Sequence, residues 1–132
     1  MAGVLTVELV AADRRVWSGE ATMVVARTTE GDLGILPGHA PVLSLMVQGV
    51  VDVTTTDGET WIAAVDSGFL SVAADRISIL AEHAEMSHEI DLEHARADLE
   101  RAHAVGESDD DAVEAAAAAW AEARIHAVER AS

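Results

Sequence analysis

The sequence predicts an α+β protein, an N-terminal antiparallel β-sandwich or flattened barrel followed by a C-terminal α-helical hairpin. Three observations carry that expectation. Residues 1–87 are rich in Val, Ile and Thr, whereas residues 88–132 hold fourteen alanines and no threonine; β-branched residues suit pleated sheet and Ala suits helix. Short apolar runs between turn residues recur through the first part, with no helical pattern to carry a crossover. Helical spacing of apolar residues begins only beyond Met86-Ser87-His88. The expected domains are therefore a sandwich over 1–87 and a hairpin over 88–132.

The elements follow in order. Val4–Val10 alternates, with Leu5, Val7 and Leu9 on one side. Met23–Ala26 and Val50–Val53 are further strand candidates. Between them, Gly31–Pro41 packs three glycines, two prolines and His39 into eleven residues. Glycine permits positive φ and proline fixes φ, so this stretch reads as a rigid loop holding Leu33, Ile35 and Leu36. Asp57-Gly58 separates Val51–Thr56 from Glu59–Val65 and predicts a two-residue hairpin turn. Ala74-Asp75 reverses the chain between Gly68–Val72 and Arg76–Ala81. Eight to ten strands are expected in all, on the order of ten residues apart.

In the second part, a helix is expected over Asp91–Ala104, with Asp91 as N-cap and Leu92, Ala95, Leu99 and Ala102 on one face. Gly106 is the expected C-cap. Ser108 and Asp111 approximate a capping box for a second helix, whose run Ala115–Ala119 has high helix propensity. Val113, Ala117, Trp120, Ala121 and Val128 mark its apolar side, with Arg124 inside that arc. Alanine faces bury little area, so the hairpin should depend on contact with the sandwich or another subunit.

Composition excludes several function classes. The chain has no Cys and no Tyr, and all eight of its cations are arginines. Disulfides, thiolate zinc sites, P-loops and Schiff-base chemistry are thereby ruled out. Net charge is −16, divided evenly: each part holds twelve acids and four arginines, −8 apiece. So acidic a surface repels nucleic acid and anionic lipid, and any partner surface should be basic or apolar. Six histidines are present, but none pair at i, i+4 or as HxH, so no metal site is expected. No serine sits in a nucleophile context such as GxSxG, so the chain is not expected to be an enzyme by itself. No stretch has eighteen consecutive apolar residues and the N-terminus lacks a signal-peptide layout, so no direct membrane insertion is expected. Residue patterns alone leave open a free-standing acidic adaptor or a cupin-like binding module.

Two phrases go further. Gly31-Asp32-Leu33-Gly34-Ile35-Leu36-Pro37-Gly38-His39-Ala40-Pro41 resembles a signature of the epsilon subunit of bacterial F-type ATP synthases. Val65-Asp66-Ser67-Gly68-Phe69-Leu70-Ser71-Val72 resembles that family's other strong stretch, at a fitting distance. The resemblance implies a non-catalytic central-stalk subunit, without cofactor, that links gamma to the membrane rotor ring. It implies support of proton-coupled ATP synthesis from the cytoplasmic side of the bacterial plasma membrane. Gly31, Asp32, Leu33, Gly34, Ile35, Leu36, Pro37, Gly38 and His39 would then contact the ring (the c-ring) and gamma, with Asp32 toward polar loops of the ring and His39 near gamma.

The resemblance also implies that the hairpin can reach the alpha/beta catalytic head and regulate ATP hydrolysis, commonly through basic residues. Here 109–130 holds six acids and two arginines, leaving Arg124 and Arg130 as the candidate inhibitory contacts. Some family members bind ATP at the start of the first helix. Ile90, Asp91 and Ala95 match that pattern, but His94 replaces an arginine that would bind phosphate bidentately. This stretch is therefore a degenerate nucleotide motif, expected to act as a capped helix start with weak or no ATP binding.

Overall fold

The computed structural model describes residues 3–105 and 112–131. Nine strands come first: β1 Leu5–Ala11, β2 Arg15–Thr28, β3 Gly31–Ile35, β4 Val42–Met46, β5 Gly49–Thr55, β6 Thr60–Val65, β7 Gly68–Ala73, β8 Arg76–Ala81 and β9 Ala84–Met86. A 3-10 turn, Ser87–Glu89, leads to α1, Leu92–Val105, and α2 covers Ala112–Ala131. The caps expected at Gly106 and Ser108, and the side chain of Val113, lie outside the described residues.

The long strand β2 organises the sandwich. Its first half pairs with β1, its middle with β5 and its end with β3, while β1, β8, β7 and β4 follow one another back to Thr28. That circuit is the flattened barrel, and β5-β6-β9 forms the other arm. Every pairing is antiparallel except β1 with β8, which run parallel from Thr6↔Arg76 to Ala11↔Ala81. The expected antiparallel sandwich thus closes through one parallel pairing.

Alternation fills one core. Leu5, Val7 and Leu9 meet Val24, Ile35, Val51, Val65, Leu70, Val72, Ile77 and Ile79, all buried. β6 differs, because Ile62, Ala63, Ala64 and Val65 are buried in succession. Ala63 and Val65 face the sandwich core, while Ile62 and Ala64 face Ala123, Ala127 and Trp120 of α2. A strand covered on both faces loses its polar alternation. The second phrase also has a steric reason: a Cβ on Gly68 would stand 1.9 Å from the Leu80 carbonyl oxygen.

Three local expectations are corrected. Gly31–Ile35 is a paired strand rather than loop, because Leu33 and Ile35 alternate with Asp32 and Gly34 along β2. Asp57-Gly58 is not a two-residue turn. Gly58 N–H donates to the Thr55 carbonyl (3.1 Å) and Thr55 N–H to the Glu59 carbonyl (2.8 Å), closing a three-residue loop with Gly58 at φ +86°. Ala117 is exposed; the buried side of α2 carries Ala121, Ala123, Arg124 and Ala127.

Candidate functional site

The residues Gly31–His39 fall into two parts. Asp32 is exposed on β3 opposite Arg27 of β2, beside a cleft of about 640 Å³ between the sandwich and α2. The turn lies at the other end of β3, roughly 15 Å away at ~3.3 Å per residue. There His39 N–H donates to the Leu36 carbonyl (3.1 Å), with Pro37 and Gly38 at the corner and Gly38 at φ +87°. This is a type II turn, with proline and glycine where that geometry favours them. Gly38 N–H donates to Asp75 Oδ1 at 2.6 Å, tying the turn to the β7–β8 reversal. That reversal holds Ala74 and Asp75 at φ 50° and 61°, the signs of a type I′ turn. His39 Nδ1 lies 2.7 Å from the Ala40 carbonyl, so its ring braces its own loop. Ile35 is fully buried, whereas Leu36 stands exposed at the tip.

A second feature escaped the sequence reading. Leu45, Phe69 and Leu80 stand side by side on β4, β7 and β8, each directly opposite the next, and Leu43 lies two residues from Leu45 on the same face. All four are more than half exposed. They form an uncovered apolar row on the outer face of the barrel. The signal was available in sequence: Leu43, Leu45 and Met46, Phe69-Leu70 and Ile79-Leu80 are apolar at both parities of their strands, more than one core face requires.

The hairpin contact contains both arginines singled out from the sequence. Arg124 is buried, with Nε 2.8 Å from Glu85 Oε1 on β9 and Nη1 3.1 Å from Asp98 Oδ2 on α1. Its approach to Glu85 is an ion pair, off the N–H direction. Its guanidinium carbon lies 5.9 Å from the Trp120 ring centroid, within cation–π range. Asp98 also meets Arg101 and His94. Desolvation pushes its carboxyl up, but His94, Arg101 and Arg124 outweigh that and hold it below its ordinary value. Arg130 pairs with Asp52 of β5. In this conformation, then, both cations serve contacts within the chain.

Nearby, Glu89 accepts a hydrogen bond from Met86 N–H (3.1 Å) and pairs with Arg14 (3.2 Å). Burial raises its carboxyl pKa, but the Met86 hydrogen bond, Arg14 and the charge of His88 together more than offset it, so the net shift is downward. His83 joins the two parts of the chain: Nδ1 lies 3.1 Å from Asp66 Oδ2, and its ring sits 6.0 Å from Trp120.

The degenerate nucleotide motif is occupied by its own contacts. Asp91 Oδ1 accepts from His94 N–H (3.2 Å), the Asp91 carbonyl accepts from Ala95 N–H (3.0 Å), and the His94 ring lies 3.3 Å from Asp98. Ile90 packs on the sandwich–α2 cluster. This is helix-capping geometry. Among the described residues, no three His, Asp or Glu side chains are grouped to hold a metal.

Residues 4–87 match the family described as ATP synthase, Delta/Epsilon chain, beta-sandwich domain. The ATP synthase epsilon chain of Streptomyces griseus is 55% identical over 128 residues, covering 97% of this chain and 98% of its own. The chain belongs to the ATP synthase epsilon-chain family. The epsilon chain of Rhodococcus jostii is also 55% identical over 128 residues, covering 96% of this chain and 98% of its own. The fold matches a chain in the cryo-EM structure of the Euglena gracilis mitochondrial ATP synthase OSCP/F1/c-ring assembly. That match has a TM-score of 0.78 and 26% identity, over 96% of this chain and 80% of that one. A chain of the Tetrahymena thermophila mitochondrial ATP synthase central stalk/c-ring shares the fold, with a TM-score of 0.60 and 16% identity over 96% of this chain and 95% of that one. An epsilon chain is a stalk subunit of the F-type ATP synthase complex and is not catalytic itself.

Proposed function

We propose that this chain is a central-stalk rotor subunit linking gamma to the c-ring, and so supports the coupling of proton flow to ATP synthesis. The observation that carries this reading is the uncovered row Leu43, Leu45, Phe69 and Leu80 on the rigid barrel. Water-exposed apolar rows of this kind mark protein contacts, and the row is assigned to gamma. The segment from Gly31 to His39 is assigned to the ring and gamma, with Asp32 toward the ring and His39, in the braced turn, near gamma. A rotating link must transmit torque without deforming, which suits a turn held at both ends by main-chain and Asp75 hydrogen bonds. No described helix is long and apolar enough to cross a membrane. The same reading assigns it a peripheral position on the cytoplasmic face of the bacterial plasma membrane. The hairpin is assigned a regulatory role in ATP hydrolysis at the alpha/beta head, through movement that frees Arg124 and Arg130.

The test is reconstitution of the epsilon-depleted complex in inverted vesicles. Phe69→Asp should weaken binding roughly tenfold or more, because it places a charge in a desolvated contact. Asp32→Arg should leave binding to gamma intact and lower proton pumping per ATP hydrolysed. Wild-type binding and coupling in both variants would reject the assignment of these surfaces.

A further inference from the structure

The cleft between the sandwich and α2, about 640 Å³, is of ligand size. It lies apart from the degenerate nucleotide motif, since none of Ile90, Asp91, His94 and Ala95 lines it. Its floor is small and apolar, from Val50 of β5 and Ala119 and Ala123 of α2. One wall is the outer face of β2 and β3, where Arg27 stands directly opposite Asp32. Opposite charges so placed across two strands ordinarily pair. Yet among the described residues neither side chain has an ion-pair or hydrogen-bond partner. Gly49 accounts for the path of Arg27. A Cβ at Gly49 would stand 2.9 Å from Arg27 Cδ and 3.0 Å from its Cβ, so the bare glycine is a cradle for the arginine stem. The facing wall is α2, where Glu122, His126 and Glu129 are four and three positions apart on one helical stripe. Arg130, the other arginine of the lining, is already paired with Asp52. The strand wall therefore offers one free cation and one free anion, and the helix wall offers two free carboxylates.

We propose that this cleft binds a free basic α-amino acid, of the chemistry of arginine. The α-carboxylate meets the Arg27 guanidinium, whose planar fork suits a carboxylate. The α-ammonium meets Asp32. The aliphatic stem crosses Val50 and Ala123, and the cationic end reaches Glu122 or Glu129. Each free charge of the strand wall then gains an opposite partner, and the excess negative charge of the helix wall meets the excess positive charge of the ligand. Other ligand classes fit less well. A phosphate or dicarboxylate would face Glu122 and Glu129 unpaired, and a simple polyamine would leave Arg27 without a partner. The site is a property of the free chain and holds or fails independently of the rotor assignment.

The test is titration of the isotope-labelled, full-length protein with L-arginine at constant ionic strength, followed by NMR. Saturable shifts are expected at Arg27, Gly49, Ala123 and His126, with a dissociation constant in the millimolar range or tighter. Arg27 and Asp32 are exposed, so Arg27→Gln and Asp32→Asn leave the core intact. Each should weaken binding roughly tenfold, as expected for losing one charge-assisted contact. Gly49→Ala keeps every charge but crowds the Arg27 stem, and should weaken binding as well. Agmatine, which is arginine without its carboxylate, should bind more weakly than arginine and equally well to the parent and to Arg27→Gln. Shifts that never saturate would overturn the site. Arginine binding unchanged in both Arg27→Gln and Asp32→Asn would also overturn it, leaving only diffuse attraction of a cation to an acidic surface. Agmatine binding as tightly as arginine would overturn the pairing of Arg27 with the carboxylate, and with it the amino-acid assignment.

Discussion

The sandwich and the hairpin junction are held together by different physics. In the sandwich, Leu5, Ile35, Leu70, Ile77 and Ile79 are essentially without solvent contact, and nine strands satisfy one another's main-chain groups. In the junction, alanines supply the surface, and a buried cation with its two carboxylates supplies the specificity. A core of large interlocked side chains tolerates no partial opening. The junction buries smaller side chains and rests on ion pairs instead. Residue size and charge thus set the two neighbouring regions apart.

The largest expected effect attacks the rigid side. Gly68→Val would drive a side chain into the Leu80 carbonyl, and should destabilise the whole sandwich by about 3 kcal/mol or more. Urea unfolding followed by far-UV circular dichroism checks this; a shift under about 1 kcal/mol would mean the β7–β8 approach relaxes easily. At the junction, Ala127→Leu overfills a fully buried position. It should cost the junction about 1–3 kcal/mol while the sandwich keeps its own transition. Hydrogen exchange resolves the two, with faster exchange in α2 alone expected. Faster exchange spread equally through β6 would show that junction and sandwich open together.

The smallest effect concerns pH. Asp98 and Glu89 are more acidic in the folded chain than their ordinary values of 3.8 and 4.5. The folded state therefore binds fewer protons, and the stabilisation is present in full above those values. It is lost as pH falls through the lower native ones. Stability should fall as pH drops below the ordinary values of these carboxyls, with a shallower fall in Asp98→Asn. An unchanged pH profile in that variant would remove Asp98 from the accounting.

Much of this was legible in the sequence. Alternation in β1, the Ala74-Asp75 reversal and the capped start of α1 at Asp91 each follow from local rules. What was not legible depends on tertiary context. The first half of β2 hides behind Arg15, Gly19 and Glu20, because a strand whose outer face is wet looks like a linker. The Gly31–Ile35 strand was obscured by glycine, although Leu33 and Ile35 kept the period of two. Asp32, Leu36 and His39 were singled out by resemblance, but that Asp32 and the Leu36–His39 turn lie at opposite ends of β3 required coordinates. Arg124 was visible as an irregularity in an apolar stripe. Its partners, Glu85 and Asp98, lie 39 and 26 positions earlier, beyond the reach of any helical spacing rule.

The parallel pairing of β1 with β8 bears on how the chain is made. Thr6 finds Arg76, seventy positions later, and Ala11 finds Ala81. A nascent chain can form the β1–β2 hairpin early, but one edge of β1 stays unpaired until residue 81 has left the ribosome. Through that interval the barrel cannot close, and an open strand edge is a template for wrong partners. Substitutions that slow the arrival of β8 should therefore reduce soluble yield more than they reduce the stability of the finished protein.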